Sequence, residues 1–296
     1  MASVIDDLKY AYRTGNIVTQ FLFVNIAVFL LLTLIRIFGF FYKANFLGAV
    51  MPWISGNSDW QIMLYRPWTI ITYMFVHESL MHILFNMILL YFAGRLFADL
   101  LNTKRFIAVY FMGGIVGFLF YFLAYNLFPV FEGGKSIIYG ASASIIAILV
   151  AIATYTPHME LRLILIGNVK LMYIAIFFVA LDLLLLDGGN TGGRLAHLGG
   201  ATFGYLYSTS LKKGNDWSKG FFAVTDFFRD LVKPKPKMKV ASSTRQEFKS
   251  TASRPTSRKD KVHEEKIDII LDKISRSGYE SLSKDEKEYL FNASKK

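Results

Sequence analysis

Residues 139–155 read Tyr139-Gly140-Ala141-Ser142-Ala143-Ser144-Ile145-Ile146-Ala147-Ile148-Leu149-Val150-Ala151-Ile152-Ala153-Thr154-Tyr155, an apolar run without a charge that carries a serine at its Gly-rich start. A second run, about Leu195 to Leu211, opens in the same way on Ala196-His197-Leu198-Gly199-Gly200. Both are short of the roughly 20 residues that about 30 Å of hydrocarbon demands at about 1.5 Å per residue. Ser142 and His197 therefore sit at matching depth, near one membrane face. A polar or ionisable residue within a spanning helix is costly, roughly 2.5–3.5 kcal/mol for a charged side chain on insertion scales, and marks a functional site.

Four further apolar runs lie outward of these two, at about Phe21 to Tyr42, Leu80 to Phe97, Phe106 to Phe128 and Val169 to Leu186. With 53% hydrophobic and 16% aromatic residues and a mean hydropathy of +0.37, the chain exceeds what soluble domains carry. The expected fold is an all-α polytopic membrane protein, a bundle of six transmembrane helices. The first run is too long, and lacks the small-residue site, for a cleaved signal peptide. The absence of Cys excludes disulfides, thiol catalysis and cysteine metal sites. Net charge is +11, and from Lys212 onward 21 Lys and Arg face 13 Asp and Glu, so +8 of the excess lies in the tail. The expected organisation is an N-terminal segment 1–20, a membrane domain 21–211, a basic interfacial helix and linker 212–262, and a small helical domain 263–296.

Lys and Arg in short loops favour the cytoplasmic side. One side would hold Lys9, Arg13, Lys104, Arg105, Arg162, Lys170, Lys212 and Lys213; the other holds Lys43, Arg66, Lys135 and Arg194 over longer loops. Both termini are then expected in the cytoplasm, with Ser142 and His197 just below the outer surface. The first outer loop, about Ala44 to Ser79, carries Trp53, Trp60, Tyr65 and Trp68. Such aromatics anchor at headgroup level, so part of this loop is expected in the interface.

A serine hydroxyl is a weak nucleophile until a base takes its proton, and imidazole is the usual base. Ser142 would attack and His197 would accept the proton. Gly140 relaxes the backbone before the serine, whose amide at a helix N-terminus points a donor at a developing oxyanion. Taken singly, Gly-Ala-Ser-Ala-Ser reads as a small-residue packing patch and His197 as a packing histidine bonded to a carbonyl; together they point to a hydrolase acting within the bilayer. In His77-Glu78-Ser79-Leu80-Met81-His82-Ile83-Leu84-Phe85-Asn86, His82 and Asn86 are four apart and share a helix face. Both can donate to an oxyanion. A zinc helix needs two His at i and i+4, whereas His77 and His82 are five apart and diverge by about 140°. No metal and no cofactor are expected.

These residues resemble rhomboid intramembrane serine proteases over roughly Arg66 to Leu211. Arg66-Pro67-Trp68 with Thr72-Tyr73-Met74-Phe75-Val76-His77 is similar to the family's first-loop signature, His82-x-x-x-Asn86 follows, Gly140-Ala141-Ser142-Ala143 is similar to the nucleophile motif, and Ala196-His197-x-Gly199-Gly200-x-x-x-Gly204 to the last helix. The resemblance implies a Ser-His dyad of Ser142 and His197, an oxyanion hole of His82, Asn86 and the Ser142 amide, and a last helix packed closely through Gly199, Gly200 and Gly204. The chain departs from the family at Ala143, where many members have Gly, and at Ile146, where a Tyr stacks on the histidine. Asp182 has no place in that dyad. It reads either as an orienter of His197 or as an interfacial carboxylate steering the loop toward Arg194. Implied substrates are single-span membrane proteins with helix-weakening residues near the outer interface and a small residue before the cut, reached laterally between the second and fifth helices. The setting expected from the resemblance is a bacterial inner (plasma) membrane.

In the tail, Trp217 to Leu231 reads as an interfacial amphipathic helix and Lys233 to Lys261 as a polar linker. Ile267, Ile270, Leu271 and Ile274 recur at helical spacing, and Ser283-Lys284-Asp285-Glu286 is a capping box. The family appendage this resembles is expected to have a cytoplasmic partner or to dimerise, and the basic linker suits anionic lipid. No nucleic-acid motif accompanies the charge. A catalytically inactive relative that binds membrane clients is the alternative function; a transporter would want inverted repeats, and none is found.

Overall fold

The computed structural model describes residue 12 and residues 15–163, 167–232 and 258–293. In chain order the elements are α1 (Ile17–Phe41), α2 (Phe46–Ile54), β1 (Gly56–Asn57), α3 (Trp60–Tyr65), α4 (Thr69–Thr72), α5 (Leu80–Leu101), α6 (Thr103–Leu127), β2 (Ile137–Ile138), α7 (Ser142–Tyr155), β3 (Glu160–Leu163), β4 (Gly167–Lys170), α8 (Leu171–Leu184), α9 (Thr191–Lys212), α10 (Ser218–Val232), α11 (Arg258–Ser277) and α12 (Lys284–Ala293). The chain is an all-α polytopic membrane protein, and each of the six apolar runs contains a helix. By length and apolarity, α1, α5 and α6 suffice to cross a membrane, while α7 and α8 are apolar but shorter. The hydropathy reading did not foresee two small antiparallel ladders. Val169, expected to open an apolar run, instead pairs with Leu161 in the β3–β4 ladder.

The membrane unit is built around α7. Every residue from Ala143 to Thr154 is buried, and 14 helical residues extend only about 21 Å. Its N-terminus therefore cannot lie at one interface while its C-terminus reaches the other. Helix α9 approaches this core helix backbone to backbone. A Cβ built on Gly200 would sit 2.2 Å from the Ala143 carbonyl oxygen, and one on Gly204 would sit 2.2 Å from that of Ala147. Helix α6 joins them through Gly113 against the Ala147 methyl and Gly117 against the Ala196 carbonyl. Without a hydrophobic drive between helices in lipid, such close packing through small residues holds the bundle.

The outer helices are held more loosely. Of α8 only Leu171 and Ala175, both in its first half, are buried. The loop after α1 forms α2, α3 and α4, with Trp53 and Trp68 stacked at 6.3 Å and the Arg66 guanidinium 3.9 Å over the Trp53 ring. Beyond α9, Asp216 accepts hydrogen bonds from Arg105 and Ser218. Burial pushes its carboxyl up, but these donors outweigh burial and hold it below its ordinary value. Helix α10 then stacks Phe221 on Phe111 and leaves Val224, Phe227, Phe228 and Leu231 exposed.

The chain divides into two compact units, 1–234 and 235–296. The expected linker 233–261 lies outside the described residues as far as residue 257, as do Lys9 and Arg13. In the second unit Ile270 and Leu282 are buried, and the capping box forms: the Ser283 amide donates to Glu286 at 2.7 Å and the Glu286 amide to the Ser283 hydroxyl at 3.3 Å.

Gly200→Ala should destabilise the bundle by about 1–3 kcal/mol, because an added methyl has a carbonyl in its place. Gly220→Ala, where nothing lies within 4 Å, should be neutral or slightly stabilising, as thermal unfolding in detergent would show. In the second unit, hydrogen bonds from Lys273 and Ser283 pull the Glu286 carboxyl down to about 2 from an ordinary 4.5. A depressed folded value stabilises above the unfolded value and is lost as pH falls through the folded one. The amide signals of α12 should therefore lose helical character between pH 4.5 and about 2, and Glu286→Gln should remove that pH dependence.

Candidate active site

Two features pin the segment that presents Ser142. Ile137 and Ile138 pair with Asn57 and Gly56, and the Gly140 amide donates to the Tyr73 carbonyl at 2.9 Å. The Ser58 hydroxyl accepts from the Ser136 amide at 2.9 Å, and the Tyr121 hydroxyl caps the Ser136 carbonyl. Gly140 takes φ +128°, and a Cβ there would lie 2.8 Å from His82 Nε2. Glycine is thus needed twice over, for the backbone angle and for the approach of the His82 ring. Ser142 then begins α7, so its amide is among the first-turn donors without an intrahelical acceptor.

Helix α9 brings His197 to this serine, with Nε2 2.6 Å from Ser142 Oγ. His197 is less close to the start of its helix than the sequence reading had it, since α9 begins at Thr191. The other ring nitrogen, Nδ1, lies 3.0 Å from each carboxylate oxygen of Asp182 on α8. The reading of Asp182 as steering the loop toward Arg194 is corrected: the Arg194 guanidinium donates to the Leu185 and Gly188 carbonyls. The placement of Asp182 depends on how α8 crosses α9, which no spacing in the chain encodes.

His82 and Asn86 project from the first turns of α5 into the same cavity of about 610 Å³ as Ser142, His197, Asp182 and Ile146. Asn86 is 6% exposed, and its amide donates to the His82 carbonyl at 2.9 Å. The cavity wall is Met81, Phe85 and Leu89 of α5 on one side and Phe178 and Leu181 of α8 on the other. His77 is buried with its ring edge-on to His82 at 5.1 Å, and burial, seconded by His82, pushes it down to about 4, so it is neutral at ordinary pH. Glu78 accepts from the Tyr139 hydroxyl at 2.6 Å, tying the α5 approach to the serine loop. Tyr139 is the wall residue that sequence reasoning passed over; its position directly before Gly140 was the available signal. Gly199, Gly200 and Gly204 face α6 and α7, and none lines the cavity.

The Rhomboid domain family matches residues 65–214, half of the chain, and a family of unknown function, DUF6576, matches residues 256–296. Curated relatives include presenilin-associated rhomboid-like protein A, mitochondrial, of Danio rerio (31% identical; 45% of this chain, 34% of the relative). RHOMBOID-like protein 12, mitochondrial, of Arabidopsis thaliana is 30% identical over 49% of this chain and 47% of its own length. The presenilin-associated rhomboid-like protein, mitochondrial, of Rattus norvegicus is 31% identical over 46% and 36%. The chain thus spans less than half the length of these relatives. Their mitochondrial designations overturn the expected bacterial plasma membrane with both termini cytoplasmic. The physical reason is that Lys and Arg asymmetry separates two membrane faces but does not name the compartments they border.

Gly140→Ala should cost about 1–3 kcal/mol of stability, through the strained φ and the crowded His82 ring. It should also slow modification of Ser142 by a fluorophosphonate at least about tenfold, a barrier increase of about 1.4 kcal/mol. Unchanged labelling would show that the His82 ring tolerates displacement.

Proposed function

Because this chain belongs to the rhomboid family, we propose that it is an intramembrane serine endopeptidase acting on single-span membrane proteins. The observation that carries the reading is the 2.6 Å contact of Ser142 Oγ with His197 Nε2 at the start of a helix too short to cross the bilayer. His197 Nε2 takes the hydroxyl proton as Oγ attacks the substrate carbonyl carbon. The oxyanion faces the Ser142 amide and the side chains of His82 and Asn86, donors on two elements converging on one cavity. The tetrahedral intermediate collapses as Nε2 returns the proton to the departing amine. Water, deprotonated by the same nitrogen, then releases the acyl group by the reverse steps.

A helical substrate hides its scissile carbonyl in its own hydrogen bonds, so it must unwind before Ser142 can reach it. Helix-weakening residues near the interface and a small residue before the cut meet that need. The aliphatic and aromatic wall supplied by α5 and α8 suits lateral access from lipid between those helices. The chemistry calls for no cofactor.

In liposomes holding a single-span reporter, Ser142→Ala and His197→Ala should each lower cleavage by roughly 10⁴-fold or more. His82→Ala and Asn86→Ala should each lower it by about 10²–10³-fold, about 2.7–4 kcal/mol. Equal cleavage by all five chains would remove the assigned pair. No cleavage by the parent chain across several reporters, with intact binding of them, would favour the inactive client-binding alternative.

A further inference from the structure

We infer that Asp182 positions His197, its carboxylate fixing the imidazole so that Nε2 faces Ser142 and Nδ1 carries the proton. The inference rests on the protease reading and deepens it from a pair to a three-residue relay spanning α7, α8 and α9.

A neutral imidazole has one donor and one acceptor nitrogen. To act as base toward Ser142, His197 must accept at Nε2, so Nδ1 must bear hydrogen and needs an acceptor. The Asp182 carboxylate is acceptor-only and puts both oxygens at 3.0 Å from Nδ1. Rotation of a histidine ring about χ2 is broad and roughly two-fold. The aliphatic Ile146, which lines the same cavity, has no hydrogen bond to offer that would choose one orientation. Asp182 and His197 are 14% and 19% exposed, and among the described residues the only hydrogen bonds of the carboxylate run to His197. A carboxylate in an apolar helix is expensive unless partnered. Its partner here is the ring that must become cationic.

Oγ loses its proton to Nε2 as the new C–O bond forms, Nδ1 keeps its hydrogen, and Asp182 stays ionised beside the imidazolium. The Nε2 proton leaves with the amine when the C–N bond breaks.

Asp182 stands in the second half of α8, beyond the buried Leu171 and Ala175. Any outward displacement of that half withdraws the carboxylate from His197, so the ring is held only while α8 lies against α9.

The test compares the full-length parent with Asp182→Ala, Asp182→Asn and Asp182→Glu in liposomes. Asp187→Asn, an exposed loop carboxylate five residues on, is the control. Positioning predicts that kcat falls roughly 10²–10⁴-fold for Ala and Asn, as for the orienting carboxylate of other serine proteases. KM should stay within about threefold, Glu should restore part of the rate, and the control should match the parent. A rise in KM with kcat retained would overturn the inference and leave Asp182 as a mechanical latch for α8. Activity is not the sole readout. In histidine-¹⁵N-labelled Ser142→Ala protein, His197 should appear as the Nδ1–H tautomer, and Asp182→Ala in that background should convert it to a tautomer mixture. An unchanged tautomer overturns the inference. If the tautomer responds while the parent cleaves nothing, the protease reading fails and the positioning of His197 stands.

Discussion

The close approach of α9 to α7 is the constraint on which the rest depends. Gly200 and Gly204 lay their α-carbons against the carbonyls of Ala143 and Ala147, at a separation no side chain would permit. Ser142 stands one residue before the first of those carbonyls, and His197 one helical turn before Gly200, on the same side of its helix. Spacing two helices by backbone contact thus also fixes the distance between a hydroxyl and an imidazole. A single methyl at the seam would move both ends of the 2.6 Å hydrogen bond.

Around that seam the polar groups are handled as an apolar medium demands. The loop entering Ser142 has its backbone taken up by Gly56, Ser58 and Tyr73, and Tyr139 hands its hydroxyl to Glu78. Each of these bonds satisfies a group that lipid would not, and each immobilises the serine loop or the start of α5. The cost of an unpaired polar group in hydrocarbon therefore becomes a source of order at the place where order matters.

Packing is unevenly distributed. Helix α7 is buried along almost its whole length, whereas α8 is buried only in its first half, and Asp182 lies past that point. Ser142 stands at the start of the most constrained helix, and the carboxylate against His197 in one of the least constrained. A helix anchored at one end can yield at the other without disturbing the core. The cavity that holds Ser142 and His197 is lined by that less buried half of α8, through Phe178, Leu181 and Asp182.

Much of this was legible in the chain. Hydropathy marks the six runs in which helices form, since a long continuous apolar run in lipid satisfies its backbone within itself as a helix. Ser142, His197, His82 and Asn86 stand out as polar residues within apolar runs, and the Ser283–Glu286 cap follows from local spacing. The β1–β2 ladder did not, because two-residue strands carry no periodicity and pair across some eighty positions. The extra turn of α9 before His197 was hidden by the polar Thr191 to Arg194. Above all, the sequence determined that Asp182 sits in an apolar helix but not what it faces. That depended on the crossing and rotation of α8 against α9, set by side-chain packing between distant segments, and only the tertiary structure decided it.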